Sequence, residues 1–541
     1  MKASELLVKC LETEGVKYIF GIPGEETLDL LDALSDSAVT FIPTRHEQGA
    51  AFMANAWGRL TGSPGVCLST LGPGATNLIT GVADAFLDRS PMVAVTGQIE
   101  QLRIHKESHQ YVDVVSIFKP ITKWNARIEG ASVIPEVVRK AFRLSSVEKP
   151  GPTHIELPED VAQENTDDEP LLPLAITYPE PELPLIHEAV RAIKESKRPL
   201  ILAGSSILRG RASQSLMKFV EKTRISVSTS FMGIGAVPAD SEFFLSTYGL
   251  QPRDYISCGF DRADLVIAVG YDFAEFAPEY FNPDKDKKII HIDFTPAEID
   301  AHYKALELVG DIAATLTILT EHVDFQKDHI YDAKLREMIK TSLNIELKGF
   351  PLKPLKIIQE IRNNLKRDDI LISDVGAHKI WIARFYPVYE PNTAIISNGY
   401  SSMGFAIPAS ISAKMLYPEK KVIAVCGDGG FMMSAAELET AVRLGLPIVC
   451  LIFNDGGYGL IEWKQMKKFG REFGCRFKNP DFVKFAESFG AKGYKVKSED
   501  ELSPIIKDAL SQKVPAVIDC PVDYSENLKL TETLSQIICP T

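Results

Sequence analysis

The sequence predicts an α/β protein of three consecutive, doubly wound parallel-sheet units. Three observations carry that expectation. The chain has 541 residues, too many for one hydrophobic core and enough for three of ordinary size. Short β-branched runs alternate with longer amphipathic stretches, which is the rhythm of parallel strands covered by helices. The rhythm also breaks twice, so the units are separable.

In the first unit, residues 1–165, the strands are KYIFG, VTFIP, GVCLS and MVAVT. Periodicity fails across 166–185, inside the acidic and proline-rich EDVAQENTDDEPLLPLAITYPEPELP, which reads as a linker. The second unit, residues 186–330, has RPLILAG, ADLVIAVG and KKIIHID as strands and ends in the polar stretch around Asp324 to Asp332. It has no G-x-G-x-x-G after a strand, so the usual dinucleotide fingerprint is missing. The third unit, residues 350–541, has DILISD, KVIAVCGDGG and LPIVCLIFND as its clearest strands.

Composition excludes several function classes. Apolar residues make up 45% and charged residues 24%, ordinary globular usage. A net charge of -13 argues against a nucleic-acid partner, because binding phosphate backbones needs clustered Lys and Arg. No apolar run approaches the roughly 18 residues of a membrane span, and the start MKASELLVKCLETEG is too often charged for a secretory signal, so a cytoplasmic protein is expected. The eight cysteines, Cys10, Cys67, Cys258, Cys426, Cys450, Cys475, Cys520 and Cys539, form no CxxC pair and no zinc spacing; they read as reduced thiols, several of them small core residues in strands.

The densest chemical signal lies in the third unit. Cys426-Gly427-Asp428-Gly429-Gly430-Phe431 follows the strand KVIAV, and Ser434-Ala435-Ala436-Glu437 reads as the capping box of the next helix. Glycines at a strand-to-helix turn let backbone N–H groups approach an anion, and a helix N-terminus favours negative charge, so the turn suits a phosphate. Asp428 then suits the accompanying cation. The next strand, PIVCLIF, ends at Asn454-Asp455-Gly456-Gly457, which brings a second carboxylate to the same sheet edge. Two hard oxygen ligands, completed by carbonyl and diphosphate oxygens, match the octahedral preference of Mg²⁺.

A GDG followed 27 residues after its Asp by Asn or Asp resembles the cofactor motif of the thiamine diphosphate enzymes, and the spacing selects Asp455 over Asn454. The resemblance implies a thiamine diphosphate-binding fold with a central Rossmann-like domain. It also implies that the metal ligands are Asp428, Asp455 and the carbonyl of Gly457, and that Gly427, Gly429, Gly430, Tyr458, Gly459 and Leu460 line the cofactor. The segment Ser373-Asp374-Val375-Gly376-Ala377-His378 resembles one that contacts the diphosphate, which assigns Gly376 and His378. SNGYSSMGFAIP resembles the stretch before the large hydrophobic residue under the thiazolium ring; Met403 is that residue, and the Ser401 carbonyl accepts from the pyrimidine 4'-amino group.

The first unit supplies the base. Loss of the carbon-2 proton from the cofactor requires one glutamate, in an apolar pocket, hydrogen-bonded to pyrimidine N1'. RHE-x-x-A-x-x-M-A, from Arg45 to Ala54, resembles the helix that carries this glutamate and assigns it to Glu47. Ser69-Thr70-Leu71-Gly72-Pro73-Gly74-Ala75-Thr76-Asn77 resembles the pyrimidine-lining loop of acetolactate synthases, which carries over to Thr70, Pro73 and Asn77; Pro23, in Gly21-Ile22-Pro23-Gly24, belongs to the same resemblance. Gln110 resembles a glutamine that reaches the substrate side. Glu47 and Asp428 lie over 300 residues apart, and the resemblance implies that the glutamate of one subunit faces the cofactor of its mate. A homodimer with the active site at its interface follows, compatible with a homotetramer.

Gly270-Tyr271-Asp272, Pro278 to Pro283, Pro296 to Asp300 and Val522 to Asn527 look like the catabolic, flavin-independent branch of the acetolactate synthase family. That branch implies decarboxylation of pyruvate and transfer of its two-carbon remainder to a second pyruvate, without FAD. The arginine that holds the second oxo acid in the biosynthetic branch is replaced by Ala274. Lys464 is the candidate to pair with that carboxylate instead. Two other readings stand beside this one: a different thiamine-dependent 2-oxo acid decarboxylase or carboligase, and a catalytically silent phosphate-binding paralogue.

Overall fold

A computed structural model describes residues 1–249, 256–328, 330–341, 347–527 and 539. The stretches 250–255 of the second unit and 528–538 of the third lie outside the described residues. The described chain forms three six-stranded, all-parallel sheets.

The first sheet comprises β1 (Tyr18–Gly21), β2 (Thr40–Pro43), β3 (Gly65–Ser69), β4 (Met92–Gln98), β5 (Trp124–Arg127) and β6 (Pro152–Pro158), in the order β2-β1-β3-β4-β6-β5. The second comprises β7 (Pro199–Ala203), β8 (Val227–Thr229), β9 (Phe244–Thr247), β10 (Leu265–Val269), β11 (Lys288–Asp293) and β12 (Ala305–Val309), in the order β12-β11-β10-β7-β8-β9. This is the strand order of a Rossmann sheet. The third comprises β13 (Ile370–Ser373), β14 (Ala394–Ile396), β15 (Val422–Gly427), β16 (Val449–Asn454), β17 (Lys492–Lys495) and β18 (Ala516–Pro521), in the order β14-β13-β15-β16-β18-β17. The first and third sheets therefore share one topology.

Most strands legible as apolar runs are buried on both faces, as parallel strands under helices are; β3, β4, β7 and β10 are buried at every residue, whereas β2, at the sheet edge, is buried only at Ile42. The strands without that signature have physical reasons. Trp124–Arg127 is half-buried at a sheet edge, and Val227–Thr229 and Ala394–Ile396 have only three residues each. The helix Leu183–Glu195 begins within the segment read as a linker.

The first and third units share one hydrophobic core. Helix Glu47–Thr61 lies on helix Ala406–Leu416, with Phe52 and Phe405 edge to face at 5.6 Å between ring centroids. Two corrections to the sequence reading arise here. Cys258 and Cys539 are joined in a disulfide, so not every cysteine is a free thiol: residue 539, at the end of the chain, returns to helix Ser257–Arg262 of the second unit. The other six cysteines are free and buried. In addition, Ser434 and Glu437 form no capping box. The helix after β15 starts at Asp428 and ends at Ser434, whose hydroxyl donates to the Gly404 carbonyl at 2.6 Å, and Glu437 opens a separate helix, Glu437–Arg443.

Candidate active site

The order of the third sheet reverses between β13 and β15, and ligands bind outside the carboxyl ends of strands at such a switch point. The register pairs Gly427 with Phe453, so Asp428 and Asp455 leave adjacent strands at one edge. A cavity of about 170 Å³ opens there. Its lining contains Gly427, Asp428, Gly429 and Gly430 from the turn after β15, Asp455, Gly457, Tyr458, Gly459 and Leu460 from the turn after β16, Gly376 and His378 from the turn after β13, and Ser401 and Met403 from the segment after β14. Every residue assigned to cofactor or metal in the third unit thus meets at one place. Val375, Ala377, Ile461 and Tyr524 complete it.

The donor set fits a metal-bound diphosphate. Burial pushes the Asp455 carboxyl up to about 7, and the negative charge of Asp428 adds to the shift. The Asp428 carboxyl is raised by burial as well. A buried and a half-buried acid that repel one another are an arrangement a divalent cation relieves. Among the described residues no group of three or more His, Cys, Asp or Glu side chains could hold a metal, so a cation here needs backbone and ligand oxygens to complete its shell. His378 is buried, burial holds its ring down to about 3, and its Nε2 has no partner. A neutral imidazole with a free ring nitrogen suits a phosphate oxygen.

Four groups that sequence reading did not assign hold this cavity in shape. Buried Asp374 accepts from the backbone N–H of Val375 at 2.7 Å and of Gly404 at 2.9 Å, joining the turn after β13 to the residue that follows Met403. Lys379 Nζ donates to the Ser397 carbonyl, Asn398 Oδ1 and Ser401 Oγ at 3.3, 3.1 and 3.0 Å. Ser401 has φ +60°, a left-handed conformation that a serine needs help to keep. From the first unit, Asp84 accepts from Ser397 Oγ and Asp88 from the Gly399 N–H, both at 2.7 Å. Burial lowers the Lys379 ammonium to about 8. No local pattern marks these residues, because their partners lie on other elements.

The residues assigned in the first unit gather at its own switch point, between β1 and β3. Glu47 opens its helix, is buried, and accepts from Asn77 Nδ2 at 3.0 Å. Thr70 Oγ1 donates to Glu26 beside Pro23 and Gly24. Pro73 and Asn77 are exposed on the following helix, Gly72–Leu87. A Cβ on Gly72 would meet the Gln110 carbonyl at 2.3 Å, so Gln110, at φ +55°, sits against this turn. Gln98 Nε2 holds that loop through the Val112 carbonyl at 3.3 Å and bonds Glu156 at 2.9 Å.

Glu437 is a fifth missed group. Its Oε1 accepts from the backbone N–H of Arg45 and of His46, each at 3.0 Å, and its Oε2 accepts from Thr440 Oγ1 at 2.6 Å. A Cβ on Gly49 would lie 2.4 Å from the same Oε1. The third unit thereby fixes the entry to the Glu47 helix. None of the first-unit residues lines the cavity that holds Asp428. Lys464 is exposed on helix Gly459–Phe469 and lies outside the cavity lining, whereas Trp463 lines an adjoining cavity with Asp455 and Tyr524.

Comparison with known proteins places the chain in a family. Residues 1–117 match the thiamine pyrophosphate enzyme N-terminal TPP binding domain, 186–319 the central domain and 374–520 the C-terminal TPP binding domain. An acetolactate synthase of Bacillus subtilis (strain 168) is 38% identical over 98% of this chain and 94% of its own length. The catabolic acetolactate synthase of Raoultella terrigena is 36% identical over 99% of this chain and 98% of its own. A probable acetolactate synthase large subunit of Methanocaldococcus jannaschii is 37% identical over 98% and 93%. With three matched domains in family order and relatives aligned along the whole chain, this protein belongs to the thiamine diphosphate-dependent acetolactate synthase family.

Proposed function

We propose that the protein decarboxylates pyruvate with thiamine diphosphate and Mg²⁺ and joins the two-carbon remainder to a second pyruvate, giving 2-acetolactate and CO₂. The observation that carries this reading is one cavity uniting a glycine-rich strand-to-helix turn, two carboxylates and an imidazole whose Nε2 has no partner. The bound cofactor supplies a carbon nucleophile and an electron sink for departing CO₂. Asp428, Asp455 and the Gly457 carbonyl would hold Mg²⁺, and His378, Gly376 and the backbone of Gly427, Gly429 and Gly430 would receive the diphosphate. Met403 offers an apolar support, and the Ser401 carbonyl an acceptor for an amino group. Tyr458, Gly459 and Leu460 close the other wall.

Glu47 holds a proton at pyrimidine N1' in this reading, with Asn77 orienting the carboxylate and Pro23, Thr70 and Pro73 bordering the ring. Gln110 and Lys464 would face the substrates, Lys464 as the partner of the acceptor carboxylate. The site needs a second subunit. Exposure of Met432, Met433 and Ile461 on the helices bordering the cavity, and of Tyr458 just before the second of them, supports a homodimer whose mate brings Glu47. FAD has no part in the reading. The crevice at the β7/β10 switch point is crossed by ion pairs from the first unit, Arg89 to Asp272 at 2.7 Å and Glu148 to Arg209 at 3.1 Å, where a dinucleotide would have to displace them.

The test is product formation from pyruvate with Mg²⁺ and thiamine diphosphate. The wild type should give acetoin after acid treatment, and Glu47→Gln should lose about 10²- to 10⁴-fold in kcat while still binding cofactor. Direct release of acetaldehyde would replace this reaction with simple decarboxylation, and equal rates in the two proteins would exclude the role of Glu47.

A further inference from the structure

We propose that Asn479 is a positioning residue for the metal-binding carboxylate of Asp428, at the end of a directional hydrogen-bond relay along the sheet edge. The proposal rests on the thiamine diphosphate and Mg²⁺ reading of the cavity. Asn479 Nδ2 donates to Asp428 Oδ2 at 2.7 Å and to Asn454 Oδ1 at 3.0 Å. Asn454 Nδ2 donates in turn to Asp519 Oδ1 at 2.7 Å, and Lys495 Nζ lies 3.3 Å from Asp519 Oδ2. The relay crosses four adjacent strands, β17, β18, β16 and β15.

Its direction is fixed from one end. Asp519 is buried with one oxygen 3.3 Å from the Lys495 ammonium and the other facing Asn454, so it stands in the row as an acceptor. Asn454 must therefore present its NH₂ to Asp519 and its carbonyl oxygen to Asn479. Asn479 must answer with its own NH₂, whose second proton then points at Asp428. No amide in the row can be reversed without setting two acceptors against each other. The backbone N–H groups of Gly429 and Gly456 hold Asp428 Oδ1 and Oδ2, each at 2.8 Å. With Asn479 added, three donors set the rotation of the carboxylate, and Asp428 lines the cavity in that fixed orientation.

Mg²⁺ tolerates little departure from octahedral geometry, so the orientation of a ligand carboxylate matters as much as its presence. Asn454, which the motif spacing passes over in favour of Asp455, acquires a role of its own in holding the ligand from behind. Asn479 is half-buried, and its truncation removes no core packing.

The experiment uses the full-length protein with thiamine diphosphate and follows Mn²⁺ binding by loss of the free-ion electron paramagnetic resonance signal, with Mg²⁺ as competitor. Asn479→Ala should weaken both ions by about 10- to 100-fold, leave the urea midpoint of the cofactor-free protein unchanged, and regain wild-type cofactor affinity at saturating Mg²⁺. Asn479→Ser, too short to reach both acceptors, should behave alike. Metal affinity within twofold of wild type in both variants overturns the proposal, as does a loss that follows the urea midpoint alone. A wild type that takes up no Mn²⁺ with thiamine diphosphate would instead refute the cofactor reading itself.

Discussion

Replacing Glu437 separates a local helix cap from an anchor between units. Its Oε1 is the acceptor for the Arg45 and His46 backbone N–H groups, and its side chain is almost wholly buried, with 1% exposure. Glu437→Ala removes that acceptor and leaves two donors at the entry to the Glu47 helix without a partner. Each unsatisfied donor costs about 1 to 3 kcal/mol. The pair is only partly buried, so the lower half applies, about 2 to 4 kcal/mol in total. Released locally, this should speed amide exchange over residues 44–52 by about 10²-fold. Glu437→Gln keeps an oxygen at the Oε1 position, and the Thr440 hydroxyl can reverse to accept from the new NH₂, so exchange should rise by less than about tenfold. Hydrogen–deuterium exchange read by mass spectrometry measures both, and kcat should fall in the same order because Glu47 is the first residue of the helix. Unchanged exchange in the Ala variant, or a Gln variant as damaged as Ala, would refute the anchoring role.

Three further outcomes are expected. Burial raises the Glu275 carboxyl from 4.5 to about 7. The folded state therefore holds this proton more tightly than the unfolded state, and stability should fall as pH rises from about 4.5 to about 7 and then level off. Glu275→Gln keeps an acceptor for the Met232 N–H and turns its NH₂ to Ser230 Oγ, which can accept, so urea midpoints should favour the variant more at pH 8 than at pH 5; a constant difference would exclude the burial effect. Asp455→Ala removes one of two repelling acids together with its ligand oxygens, so the cofactor-free protein should be at least as stable as wild type while Mg²⁺ affinity falls by about 10²-fold or more, measured by calorimetry. Gly430→Ala places a Cβ 2.9 Å from Asp374 Oδ2, so it should loosen the Gly404 anchor and weaken thiamine diphosphate binding, read as tryptophan quenching on titration.

The sequence by itself indicated the three α/β units, their central strands and the glycine-rich turn with Asp428 and Asp455 at one sheet edge, while the family resemblance supplied the other assigned residues of the cavity. The reason is that these signals are local. A buried parallel strand announces itself as an apolar run, and a glycine-rich turn at its end exposes backbone donors wherever the strand finishes. The 27-residue spacing from Asp428 to Asp455 survives folding because one helix and one strand separate them at the same edge. The tertiary structure alone decided what Glu437, Lys379, Asp374 and Asn479 do, because each acts on a group from another element, up to 392 positions away. Glu437 shows the limit most sharply. Three residues after a serine and before an apolar stretch it has the form of a cap, yet the helix had already begun at Asp428, which left its carboxylate free to bind the other unit. A disulfide between Cys258 and Cys539, 281 residues apart, was hidden for the same reason. Spacing along the chain records which side chains share an element, and only packing records which elements share a side chain.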